Sequence, residues 1–256
     1  MDKAVTFYTW KAERLKRYGL VIILALFCAL LLWVGQWSQL PVFSNDEEPR
    51  ALTQGDEKQD LVALTFNISW GSDKVNEILK MLEAHKVQAT FFVSGEWADR
   101  HPDLLSKIQK AEHEIGMMGF GYESYLEMKP EEINADIRQA KKVFDKLGYE
   151  NVRWIRPPHG HMDKDVLKRI DQEGLQAVQW SINPRDWENP GTNRIIDQVV
   201  NKTSKGDIVL LHASDSVKQT PKALEVILPA LKQKGLKLVS ISELVSGSES
   251  KTSQVN

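Results

Sequence analysis

The chain has 256 residues, 42% of them hydrophobic, enough for one α/β domain of barrel size or two smaller ones. Its 33 basic and 35 acidic side chains give a formal charge of −2, so charge offers no support for a nucleic-acid partner. The one cysteine, Cys28, lies in an apolar run; this excludes a disulfide or thiolate site in the folded part and leaves the redox compartment open.

Residues 1–18 form a basic start containing Lys11, Arg14, Lys16 and Arg17. Residues 19–37, from Gly19 to Trp37, carry no charge and have the length of a bilayer span, with Trp33 and Trp37 where an interfacial aromatic belt would sit. The basic side chains should stay cytoplasmic, so the expected location is the cell membrane, single-pass, with the C-terminal domain outside. A cleaved signal peptide shares the basic start and apolar run. The length of the run, and the bulky residues Trp37 and Leu40 after it, favour a retained anchor.

Residues 38–60 read as a linker, polar and aperiodic from Asp46 to Asp60, and the globular domain spans 61–245. Within it, strand-like runs alternate with amphipathic stretches. Strands are expected at Leu61–Phe66, Gln88–Val93, Glu114–Gly116, Val152–Ile155, Gln176–Ser181, Ile208–Leu211 and Leu236–Val239. Helical spacing links Val75, Ile78, Leu79 and Leu82, and again Leu104, Leu105 and Ile108. Pro130 with Glu131 and Glu132 opens a helix whose buried stripe is Ile133, Ile137, Ala140 and Phe144. Further helices are expected over 163–173, 193–203 and 221–234, closed by Gly174, Gly206 and Gly235. Successive strand–helix units imply a parallel sheet with right-handed crossovers, either closed into a barrel or open and doubly wound. The Ser- and Thr-rich tail 246–256 reads as disordered.

Five strand-like runs end in polar or turning clusters: Asn67, Met117-Met118-Gly119, Arg156-Pro157-Pro158-His159-Gly160, Arg185-Asp186-Trp187 and His212. In a parallel sheet these share the C-terminal edge, where α/β folds build their sites. In order and spacing they resemble the motifs of the polysaccharide deacetylase family, the NodB-homology fold of carbohydrate esterase family 4. The likeness runs over about residues 60–245. The Asn67-Ile68-Ser69-Trp70-Gly71 form of the first motif, with the basic N-terminus, is most similar to the sporulation-associated PdaB-like branch.

The resemblance implies a NodB-like deformed (β/α)7 barrel behind an N-terminal transmembrane helix. It implies removal of N-acetyl groups from cell-wall glycan such as peptidoglycan, and a divalent metal, usually zinc, held by an aspartate and two histidines. The glycan and, through the helix, the membrane are the partners it implies; no protein partner is indicated.

Carried over by position, His212 is the acid that protonates the leaving amine, Asp186 its tuning partner, and Arg156 the partner of the base. His159 contributes a backbone N–H to the oxyanion, while Trp187 and Leu211 wall the acyl pocket. The base position holds Asn67, which has no basic lone pair near neutral pH. The metal positions hold Ile68, Met118 and Tyr122, so no metal or other cofactor is expected.

Alternatives stand beside these assignments. Arg156 could instead form a buried ion pair with Asp186, and Trp70 with Trp97 could be a sugar platform or core. His85, His101 and His113 read as surface residues and His161 as a rim residue; Glu123 or Asp73 could serve a remodelled site. The expected function is therefore a cell-wall glycan deacetylase, in sporulation, with impaired or lost chemistry. The alternative is a non-catalytic, membrane-tethered glycan-binding or spore-envelope structural protein.

Overall fold

The computed structural model describes residues 49–246, the backbone of 251–253 and the single residue 25; the expected anchor 19–37 and its basic flank lie outside the described residues. Among the described residues no helix is long and apolar enough to cross a membrane.

Seven strands make one parallel sheet: β2 (Leu61–Ile68), β3 (Thr90–Val93), β4 (Glu114–Met117), β5 (Trp154–Ile155), β6 (Gln176–Ala177), β7 (Ile208–His212) and β8 (Lys237–Val239). The hydrogen-bonded order is β6-β5-β4-β3-β2-β7, and β8 pairs with Leu61–Ala63 at the start of β2. The sheet curls until its ends meet. Ser181 and Ile182 N–H groups donate to Ile208 O at 3.0 and 3.1 Å, and Leu210 N–H donates to Ile182 O at 2.9 Å. The expected seven-unit barrel is thus a curled parallel sheet closed by a local bridge. β8 takes no place between the two ends, because it lies on the edge of β2 that β3 occupies further along.

Alternation along β2 divides the structure into two layers. Val62, Leu64, Phe66 and Ile68 join the core under the helices, with Val75, Ile78, Leu105 and Ile137 among its members. Ala63, on the other face, joins a smaller cluster inside the curl with Phe92, Met118, Trp154 and Val178. The helix Pro130–Lys146 shows how local chemistry secures the outer layer. Pro130 opens it, the Glu132 carboxylate accepts the Lys129 N–H at 2.8 Å, and Ile133, Ile137, Ala140 and Phe144 are buried. Burying each large apolar side chain of this kind stabilises by about 1.5–3 kcal/mol.

Two segment assignments change. The expected linker contains a strand, β1 (Ala51–Gln54), and the expected disordered tail contains β9 (Lys251–Ser253), which pairs with it antiparallel. Ala51 and Leu52 are buried, so the domain begins before residue 61. His113 is likewise not a surface residue. It is buried, its ring 5.2 Å from Phe91, and its Nδ1 accepts the Ala89 N–H at 3.3 Å. Burial lowers its pKa to about 4.

Candidate functional site

The strand ends bring Asn67, Arg156, Asp186 and His212 to one edge, with Asn67 directly opposite His212 in the β2–β7 register. Arg156 leaves the end of β5 and is wholly buried. Its Nη1 donates to Asn67 Oδ1 at 2.9 Å and Thr65 Oγ1 at 3.0 Å; Nη2 donates to Gln179 O at 2.9 Å and Nε to Val178 O at 3.3 Å. The guanidinium also lies 4.0 Å from the Phe92 ring centroid and 5.5 Å from that of Trp180. None of these partners is a carboxylate. Desolvation accordingly pulls its pKa down to about 9, with Tyr122 acting in the opposite direction. The alternative ion pair with Asp186 does not form, since other donors occupy that carboxylate.

Asp186 opens a short 3₁₀ turn between two left-handed residues, Arg185 (φ 56) and Asn189 (φ 52), and its side chain is fully buried. Oδ1 sits 2.7 Å from His212 Nδ1, and Oδ2 accepts the His212 N–H at 2.9 Å and the Thr220 hydroxyl at 2.7 Å. This holds the imidazole with Nδ1–H toward the acid and Nε2 away from it. Trp187, next in the chain, is half exposed, with the Arg185 guanidinium 5.7 Å from its ring.

The positions that would hold a metal do not fit one. Ile68 points by strand parity into the layer beneath the helices and is fully buried there. Met118 is equally buried beside Phe92 and Trp154 inside the curl, with Tyr122 packed against the same cluster. Burial raises the Tyr122 pKa against the lowering pull of Arg156, which keeps the phenol protonated and a poor ligand. Apolar packing occupies the place of a donor set at these three positions.

His159 occupies a left-handed kink (φ 59), and its Nε2 lies 3.0 Å from Tyr122 O. The ring rests 4.4 Å from that of Tyr122, leaving the backbone turn as its contribution to the edge. The next residue must be glycine: a Cβ on Gly160 would come within 2.3 Å of Trp180. Leu211, expected to wall an acyl pocket, instead lies fully buried in the helix-facing layer, one residue out of phase with His212. Trp97 is core, its Nε1 donating to Gly71 O at 2.6 Å, whereas Trp70 is 55% exposed. Neither Glu123 nor Asp73 shares a hydrogen bond with Asn67 or His212; Glu123 lines a separate hollow with Ser124, His159 and His161. His161 is exposed, and its Nδ1 lies 2.8 Å from Ser124 Oγ.

Thr65, Gln179 and Thr220 complete the network and were not singled out by the sequence. Thr65 had a readable signal, sharing the inward face of β2 with Asn67. Gln179 acts through its backbone oxygen, and Thr220 opens a helix, so neither shows a motif.

A family model described as polysaccharide deacetylase matches residues 54–178. The chain is 37% identical over 188 residues to a peptidoglycan-N-acetylglucosamine deacetylase of Bacillus cereus, covering 72% of this chain and 88% of that protein. It superposes with a TM-score of 0.73 and 29% identity on the crystal structure of a CE4 family pseudoenzyme from Bacillus anthracis, covering 78% of this chain and 70% of that one. A mutant of that pseudoenzyme, described as having restored enzymatic activity, superposes equally well, with a TM-score of 0.73 at 29% identity, over 78% of this chain and 72% of that one.

Proposed function

Since the chain belongs to the polysaccharide deacetylase family, we propose that it recognises N-acetylated cell-wall glycan at the C-terminal edge of its sheet without hydrolysing it efficiently. The observation that carries this reading is the amide of Asn67 at the base position, its Oδ1 bound to Arg156 Nη1 at 2.9 Å. An amide oxygen already engaged by a guanidinium orients water but does not deprotonate it. General-base and metal contributions are each worth factors of hundreds or more, so a site lacking both is slow by many orders of magnitude.

The Asp186–His212 pair favours a second reading, slow hydrolysis through a remodelled site centred on His212. The setting we propose is the outer face of the cell membrane, tethered through residues 19–37, in a spore-forming cell. The support for that setting is the charge pattern of the N-terminus and the form of the first motif. Acetate release from N-acetylated peptidoglycan and chitin oligomers tests the reading, using the full chain in detergent with and without added zinc or cobalt. The expected result is saturable binding with no release above the His212→Ala background. Release that disappears in His212→Ala would establish the second reading; neither release nor binding would make this a structural envelope protein.

A further inference from the structure

We infer that Asn67 inverts the polarity of the base position and makes the site select an intact N-acetyl group, donating its Nδ2–H to the acetamido carbonyl oxygen. The inference rests on the glycan reading above and adds the group that is read. Arg156 Nη1 is a donor, so the atom of Asn67 that faces it at 2.9 Å is the oxygen. That fixes the amide: Oδ1 turns inward to the cation and Nδ2 turns away from it. Asn67 is only 4% exposed. Its Nδ2 has no protein acceptor among the described hydrogen bonds, and it is not one of the enclosed unpartnered atoms, which are His113 Nε2, Arg169 Nε and Thr203 Oγ1. Nδ2 therefore keeps a small share of accessible surface at the strand edge, beside the register position of His212.

A carboxylate at this position would offer only acceptors there and would repel a carbonyl oxygen. With Oδ1 held by Arg156, Asn67 offers only donors there, and the carbonyl oxygen of an acetamido group extends further from the sugar ring than a 2-hydroxyl oxygen, placing an acceptor where the hydroxyl does not reach. A poorly solvated donor of this kind gains selectively from a matching acceptor, because the alternative leaves it unpaired.

The test compares binding of chitin oligomers with cello-oligomers, which share the β-1,4 backbone and are uncharged, to the full chain in detergent by titration calorimetry. The wild type should prefer the chitin oligomer. Asn67→Asp should lose about tenfold in chitin-oligomer affinity and Asn67→Ala about three- to tenfold, both leaving cello-oligomer binding unchanged. The thermal midpoint of Asn67→Asp serves as a folding control and should not fall. Equal wild-type binding of the two oligomers, or undiminished chitin binding by both variants, would overturn the inference while leaving glycan recognition intact. Wild-type binding of neither oligomer would overturn the glycan reading and this inference together.

Discussion

The two halves of the strand edge have fared differently. On the side of β7, His212 and Thr220 bond to the buried Asp186 carboxylate; on the side of β2 and β4, Asn67, Ile68, Met118 and Tyr122 offer neither an acid nor an imidazole. The difference follows from what each half does for the fold. Asp186 accepts a backbone N–H from β7 and a hydroxyl at the start of the helix Thr220–Gln233, so it joins three elements whether or not His212 transfers a proton. Metal ligands have no such second duty. Met118 and Tyr122 instead serve packing, one within and one against the apolar cluster inside the curl.

The largest effect expected on that contrast is from Asp186→Ala, which strands the His212 N–H and the Thr220 hydroxyl in a dry site. It should lower unfolding free energy by about 3–5 kcal/mol in denaturant titration. Met118→Leu, which keeps the volume, should cost under about 1.5 kcal/mol; equal costs for the two variants would erase the distinction between the halves.

His113, outside both halves, supplies an acid-sensitive reference. Its folded pKa of about 4 lies below the ordinary 6.5, so the unfolded chain takes up the proton first as pH falls. The contribution is complete above pH 6.5, is lost between about 6.5 and 4, and amounts to roughly 3 kcal/mol. Replacing His113 by Phe should flatten the dependence of thermal midpoint on pH across that window.

Asn67→Asp should raise unfolding free energy by about 2 kcal/mol, because it gives the buried Arg156 charge a partner. Arg156 would hold the new carboxyl below its usual pKa. The gain should therefore be present above about pH 4 and fade as pH falls further. The same variant should release no acetate, since Ile68, Met118 and Tyr122 still provide no metal site; measurable release would show that the base alone was limiting.

Much of the frame is legible in the sequence. The run Leu61–Phe66 is β2 almost as read, and Pro130 with its acidic neighbours marked a helix to the residue. Features fixed by partners far along the chain were not legible. β1 is four residues of ordinary composition that become a strand because distant segments pair with them: Lys251–Ser253 along one edge, with Val178 bridging Leu52 and Asp207 bridging Gln54. Asp215 gave no signal either, yet its carboxylate accepts the N–H groups of Ser72, Asp73 and Lys74, at 2.9 Å each, and caps a helix from the far side of β7. Leu211 was misplaced for a simpler reason. The motif made it a pocket wall, while period-two alternation, readable in the same residues, places it in the helix-facing layer.

The Arg156 guanidinium, bonded only to neutral oxygens, also bears on how this site can change. On the proposed reading, an enclosed cation that faces an amide and not an acid carries a standing load, and Asn67→Asp is the single substitution that relieves it. The first move back toward an enzyme is thus favoured by folding alone, before any advantage in turnover exists. The moves at Ile68 and Met118 run the other way, because each would place a polar ligand in a sealed apolar layer. Reversal has an easy first step and a steep second one, and a descendant of this chain is more easily found waiting between them than beyond.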